Sequence, residues 1–139
     1  MEETTYKHHF ELLDRYQAFS AEVLRLSLAT IAAFGFFLGI EHGEGLTIAH
    51  QMVSHTGPRW LIGSGLVALV ISAAAALAHR YVSADAMYYI LLSDTRALRD
   101  DEAAVRRAML KRSEMAILAA PAALAVGVAL LAAGFLLAW

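Results

Sequence analysis

The chain has no cysteine, which excludes disulfides, thiolate metal sites, iron–sulfur clusters and cysteine nucleophiles together. It has only two prolines, Pro58 and Pro121, so long stretches run without a helix breaker. Charge is missing from whole segments: residues 26–40, 60–78 and 115–139 contain no Asp, Glu, Lys or Arg. What charge remains is mixed in sign and sums to −2, which leaves no footprint for nucleic acid. Residues 1–19 lack the basic start and small-residue cleavage site of a signal peptide, so retention of the N-terminus is expected. No lipidation motif is present, and anchoring is expected to come from the helices themselves.

What is present is apolar surface in excess. A chain of 139 residues that is 59% hydrophobic, with mean hydropathy +0.55, carries more than a small soluble core can bury. The surplus predicts lipid as the solvent. Residues 60–78 and 115–139 are each long enough, at about 1.5 Å per residue, to cross roughly 30 Å of hydrocarbon. The first span has a shorter uncharged part and must borrow residues 21–25, where Glu22 and Arg25 can pair at i,i+3.

Orientation follows from the basic residues. Lys7, Arg15 and Arg25 precede or open the first span, and Arg80, Arg96, Arg99, Arg106, Arg107, Lys111 and Arg112 lie between the second and third. Arg59 alone separates the first two spans. Basic segments resist translocation, so the N-terminus is expected in the cytoplasm and the C-terminus outside, in a cell membrane of the bacterial inner-membrane type. Trp60 and Trp139 then fall at the outer interface, with Tyr16, Phe19 and Tyr81 as the inner aromatic belt.

Helical patterning outruns the spans. Residues 81–98 have neither Pro nor Gly, and Tyr81, Tyr88, Leu91, Leu92, Thr95 and Leu98 recur with a helical period. Asp100, Asp101 and Glu102 read as the cap and acidic first turn of a last helix. Near the start, Thr4 or Thr5 can cap a helix whose stripe runs through Tyr6, Phe10, Leu13, Tyr16 or Gln17, Ser20 and Leu24. The predicted fold is an all-α integral membrane protein: three transmembrane helices with cytoplasmic extensions, forming an antiparallel three-helix bundle. Its single membrane domain divides into a cytoplasmic amphipathic helix at 1–20, a first span at 21–40 and an outer loop at 41–58. A second span at 59–79, a cytoplasmic helical hairpin at 80–114 and a third span at 115–139 complete it.

Within lipid, helices associate through close approach of small residues and a few hydrogen bonds. Gly35 and Gly39 form a GxxxG in the first span, Gly63 and Gly65 stand in the second, and the third repeats Ala119, Ala123 and Gly127 together with the seven-spaced Ala120, Gly127 and Gly134. These are the expected packing positions, and their spread over several faces predicts a homo-oligomer. Pro121 is expected to bend the third span in place.

Polar residues supply the functional candidates. Glu22, Arg25, Ser27 and Thr30 form a polar stripe that could line the inner half of a pore on an oligomer axis, with Glu41 and Glu44 as an acidic outer ring. The competing reading makes Glu22 and Arg25 an interfacial pair and turns Ser27 and Thr30 onto their own helix carbonyls. In the outer loop His42, His50 and His55 are the side chains a metal would have to use, yet their spacing is irregular and HxxxH and HExxH do not occur there. A solvated loop is therefore expected, and no cofactor. His79 reads as an interfacial histidine beside Arg80.

No paired carboxylates or nucleophile sets occur in the spans, so an enzyme is not expected. The leading expectation is a homo-oligomeric ion channel or pore. The alternative is a non-catalytic membrane anchor or adaptor that docks a protein partner through the cytoplasmic hairpin. The topology has a direct check, since the chain offers no thiol of its own. Glu44→Cys should react with an impermeant maleimide on intact cells, and Arg107→Cys only after permeabilisation; the reverse labelling would invert the orientation.

Overall fold

The computed structural model describes residues 3–39, 56–95 and 99–138. They form three helices: α1 (Glu3–Gly39), α2 (Thr56–Thr95) and α3 (Asp100–Ala138). Each is long and apolar enough to span a membrane. At 37, 40 and 39 residues, each reaches some 55–60 Å, about twice a hydrocarbon core. Glu41, His42, Glu44, His50 and His55, of the loop expected to face outward, lie outside the described residues.

The helix ends differ slightly from the sequence reading, for local reasons. Thr4 and Thr5 lie inside α1 rather than capping it. α2 begins at Thr56, which places Pro58 in the first turn, where its missing N–H costs no intrahelical bond. The cap of α3 is Arg99, not an aspartate. Its N–H donates to Glu102 Oε2 at 2.9 Å, and its carbonyl accepts from the Ala103 N–H at 2.9 Å. That is the returning half of a capping box, and Asp100, Asp101 and Glu102 set negative charge against the positive helix end. α3 continues without a break through Pro121, whose ring nitrogen has no proton for the carbonyl of Ile117.

Packing follows a repeat of four and three residues. On α2, Gly65, Leu69, Ser72, Ala76, His79, Ser83 and Ala86 are all buried, alternating four and three apart. On α3, Ser113, Ala120, Gly127 and Gly134 are buried at intervals of seven, with Leu131 between the last two. On α1, Ser20 and Ser27 are buried seven apart, flanked by half-buried Leu13, Gln17, Leu24, Ile31 and Phe34. A seven-residue period keeps one seam facing its neighbour along a shallow left-handed crossing. Most of the seam residues are small, so the backbones approach closely.

The contact between α2 and α3 is the most extensive, and α1 packs chiefly on α2. A Cβ placed on Gly127 would stand 2.9 Å from Leu69 Cγ and Cδ2 and 3.0 Å from the Gly65 carbonyl oxygen. One placed on Gly134 would meet Ile62 Cγ1 at 2.9 Å. Where the three helices meet, Val23, Ala76 and Ala120 form a small apolar core against Leu24, Ala75 and Leu124. The large apolar side chains point the other way. Leu26, Leu28 and Phe36 of α1, Val67, Val70 and Ile71 of α2, and Leu118, Val126 and Leu136 of α3 are exposed.

Gly127→Val should therefore force α2 and α3 apart and lower the stability of the detergent-solubilised protein by about 1–3 kcal/mol. Gly35→Ala, with nothing within 4 Å of the new carbon, should change it by no more than about 1 kcal/mol. Thermal unfolding of both variants checks the contrast, and equal effects would contradict the packing described.

Candidate functional site: a seam of hydroxyls between the helices

The polar groups that the helices bury are mainly serines: Ser20, Ser27, Ser72, Ser83 and Ser113, together with His79. All fall on the repeat just described, so the seam is small and polar where a soluble coiled coil would carry leucine. A serine hydroxyl has one proton to give and two lone pairs to accept with. Its partners determine what it can do.

At the centre, Ser72 Oγ donates to the carbonyl oxygen of Ala120 at 2.7 Å, next to Pro121. Ser27 Oγ lies 2.9 Å from Ser72 Oγ and 2.8 Å from the Val23 carbonyl oxygen. Two hydroxyl protons thus serve three contacts. With the Ser72 proton directed at Ala120, that of Ser27 is shared between Ser72 and Val23, a three-centre arrangement common in helices. The result is a relay that touches α1, α2 and α3 in turn. Ten residues earlier on α1, roughly 15 Å along the helix, Gln17 Nε2 donates to Ser83 Oγ at 2.8 Å. Ser83 Oγ in turn donates to the Arg80 carbonyl at 3.1 Å, and Ser20 Oγ to the Gln17 carbonyl at 3.0 Å.

No protein-family model, curated protein or solved structure matches the chain. Its residues carry the functional reading alone.

The sequence-predicted pore stripe is divided by this geometry. Ser27 is fully buried in the interhelical relay. Thr30 Oγ1 donates to the Leu26 carbonyl of its own helix at 2.8 Å. Glu22 and Arg25 stand on the outer face of α1 with side chains 65% and 80% exposed, their charges 3.9 Å apart. Such a pair, i to i+3 and open to the surroundings, contributes little to stability. Among the described residues no three metal-binding side chains converge.

The packing candidates divide as well. Gly65, Gly127 and Gly134 sit in the α2–α3 contact, whereas a Cβ added at Gly35 or Gly63 would meet nothing within 4 Å. Ala119 is exposed and Ala123 half-buried, while neighbouring Ala120 is 2% exposed. Gly39 closes α1, and its surroundings lie outside the described residues.

His79 is the residue that sequence reasoning misplaced. It is 2% exposed rather than turned to an interface, because it occupies one of the buried positions of the α2 repeat. Its Nδ1 is buried with no hydrogen-bond partner, as is Nε of Arg106, seven residues before Ser113. The run of small residues at four and three through residue 79 was the signal for it.

If the relay couples the helices, Ser27→Ala and Ser72→Ala should be non-additive. A double-mutant cycle on the solubilised protein should give a coupling of about 0.6 kcal/mol, the average for interhelical hydrogen bonds in membranes, and no more than about 1.7. Strict additivity would mean the two hydroxyls act independently.

Proposed function

We propose that the chain is an integral membrane protein whose three helices cross a bacterial-type inner membrane as an antiparallel bundle, with the N-terminus in the cytoplasm. The pairings Gln17–Ser83, Ser27–Ser72 and Ser72–Ala120 support opposed neighbours, and the uncharged segments 26–40, 60–78 and 115–139 fall at matching heights under that register. Large side chains outside and small polar ones inside suit lipid as the surrounding solvent.

Its role, on this reading, is that of a non-catalytic anchor or adaptor. The observation that carries it is the contrast between the closed interior and the open hairpin. Leu69, Ser72 and Ala76 are fully buried, so the three helices of one chain close against each other at the centre. Beyond the uncharged segments, Tyr81, Tyr88 and Leu91 form an exposed stripe on the outer side of α2, with Val105 exposed on α3. Tyr88 and Tyr89 stack edge to face with ring centres 5.5 Å apart. Apolar side chains held in water on a rigid stalk mark a surface that a protein covers.

A second reading, the homo-oligomeric ion channel, draws on the exposed Glu22–Arg25 pair and the open Gly35 of α1, which a second copy could face across an axis. One set of measurements separates the two. A photo-cross-linking residue at Leu91 should capture a protein at defined stoichiometry, Tyr88→Glu should abolish the capture, and purified protein in vesicles should pass no ions. Ion flux that Glu22→Gln alters, with no capture at Leu91, would replace the adaptor by the channel.

A further inference from the structure

His79 has no part in the proposed docking role, and its surroundings are unusual for an ionisable group. It is 2% exposed, its Nδ1 has no partner, and it sits in the seam that all three helices share. The register set by Gln17–Ser83 and Ser27–Ser72 brings it level with Ser20 and Ala21 of α1. The Ser72–Ala120 bond and the contact of Leu69 with Gly127 bring it level with residues 113–117 of α3. Ser20 and Ser113, at those heights, are buried.

Among the described residues no carboxylate or cation is buried beside it, and Arg106 of α3, half-buried with an unpartnered Nε, stands seven residues and roughly 10 Å along the helix from Ser113. On α1, Asp14, Arg15, Glu22 and Arg25 are exposed; on α2, Arg80 and Tyr81 are exposed. On α3, Lys111, Arg112 and Glu114 are exposed. Asp85, half-buried, lies about 240° round α2 from His79. Neutral imidazole can leave one ring nitrogen without a proton and still pack. The imidazolium form carries a proton on both nitrogens, and the one at Nδ1 finds no acceptor among the described residues.

We propose that His79 is a proton-operated lock on α1, seated when the imidazole is neutral and released when it is charged. α1 is the helix that moves because, among the described residues, it is the least packed: it joins α2 through Gln17–Ser83 and Ser27–Ser72 and sets Val23 and Leu24 in the small core with Ala76 and Ala120. α2 and α3 hold each other along most of their length. Opening on the α1 side gives the charged ring access to water. The sign follows: α1 is packed above the titration of His79 and loosened below it.

This rests on the bundle reading, and one experiment distinguishes the two. Spin labels at Ala18→Cys and Ala84→Cys, both exposed, report the separation of α1 and α2 in the full chain reconstituted in vesicles. Pulsed electron resonance is recorded at about pH 8 and about pH 5, on either side of the ordinary imidazole value of about 6.5. A single short distance is expected at the higher pH, with most of that population moving to longer, broader distances at the lower. In a His79→Leu background, or His79→Gln if the leucine chain does not fold, the short distance should persist at both. A distance independent of pH, or the same loss without His79, overturns the lock while leaving the bundle. No defined distance at the higher pH overturns both.

Discussion

The closest approach between two helices sets the terms for the rest of this structure. At Gly65 and Gly127 the backbones of α2 and α3 come so near that a single added carbon would overlap a leucine side chain and crowd a carbonyl. In water two helices are driven together by the burial of large apolar side chains. In lipid that drive is absent, and association depends on dispersion contacts at short range and on hydrogen bonds without water as competitor. A seam of Gly, Ala and Ser is what those conditions favour, because each small residue lowers the distance at which the next contact forms. The same closeness brings Ser72 Oγ within 2.7 Å of a carbonyl on α3 and 2.9 Å of Ser27 on α1.

Much of this was legible before the structure. Long uncharged runs announced three helices able to span a membrane, and the absence of Pro and Gly from residues 81–98 announced that α2 continues well past its apolar part. The acidic start of α3 was visible in Asp100-Asp101-Glu102, although a backbone cap at Arg99 was not, since Glu102 reaching back to it is a three-dimensional event. The packing faces were only half legible. Hydrophobic periodicity picked out Tyr81, Tyr88 and Leu91 as the mark of a continuing helix without saying which way they face, and the structure has them exposed while the buried stripe through His79, Ser83 and Ala86 is small and polar. Rules built for soluble helices assume large apolar residues face inward, and here size and closeness decide. Ala119 and Ala120 make the point: adjacent and chemically identical, one is exposed and the other buried, because only Ala120 lies on the seven-residue series with Gly127 and Gly134.

The candidate site was harder to read because hydroxyl groups have several ways to be satisfied. Ser27 and Thr30 are three residues apart on the same helix, yet one bonds across to α2 while the other bonds only to its own turn. No sequence rule separates them; the neighbour does. This division bears on function, since a hydroxyl already committed inside the bundle is not free to line a passage for ions. The Glu22–Arg25 pair and the side chains of Tyr81, Tyr88 and Leu91 stay exposed.

The account depends on α1 having one dry face against its neighbours and one face in lipid. Spin labels moved one residue at a time from Gln17 to Phe34 in reconstituted vesicles test that directly, using oxygen as the lipid-soluble relaxant and a nickel chelate as the aqueous one. The account predicts that positions 20, 24, 27 and 31 are shielded from both, and that positions 26, 28 and 29 are open to oxygen alone. Access of the nickel chelate to positions 29, 32 and 33, inside the uncharged span, would reveal a hydrated axis and contradict it.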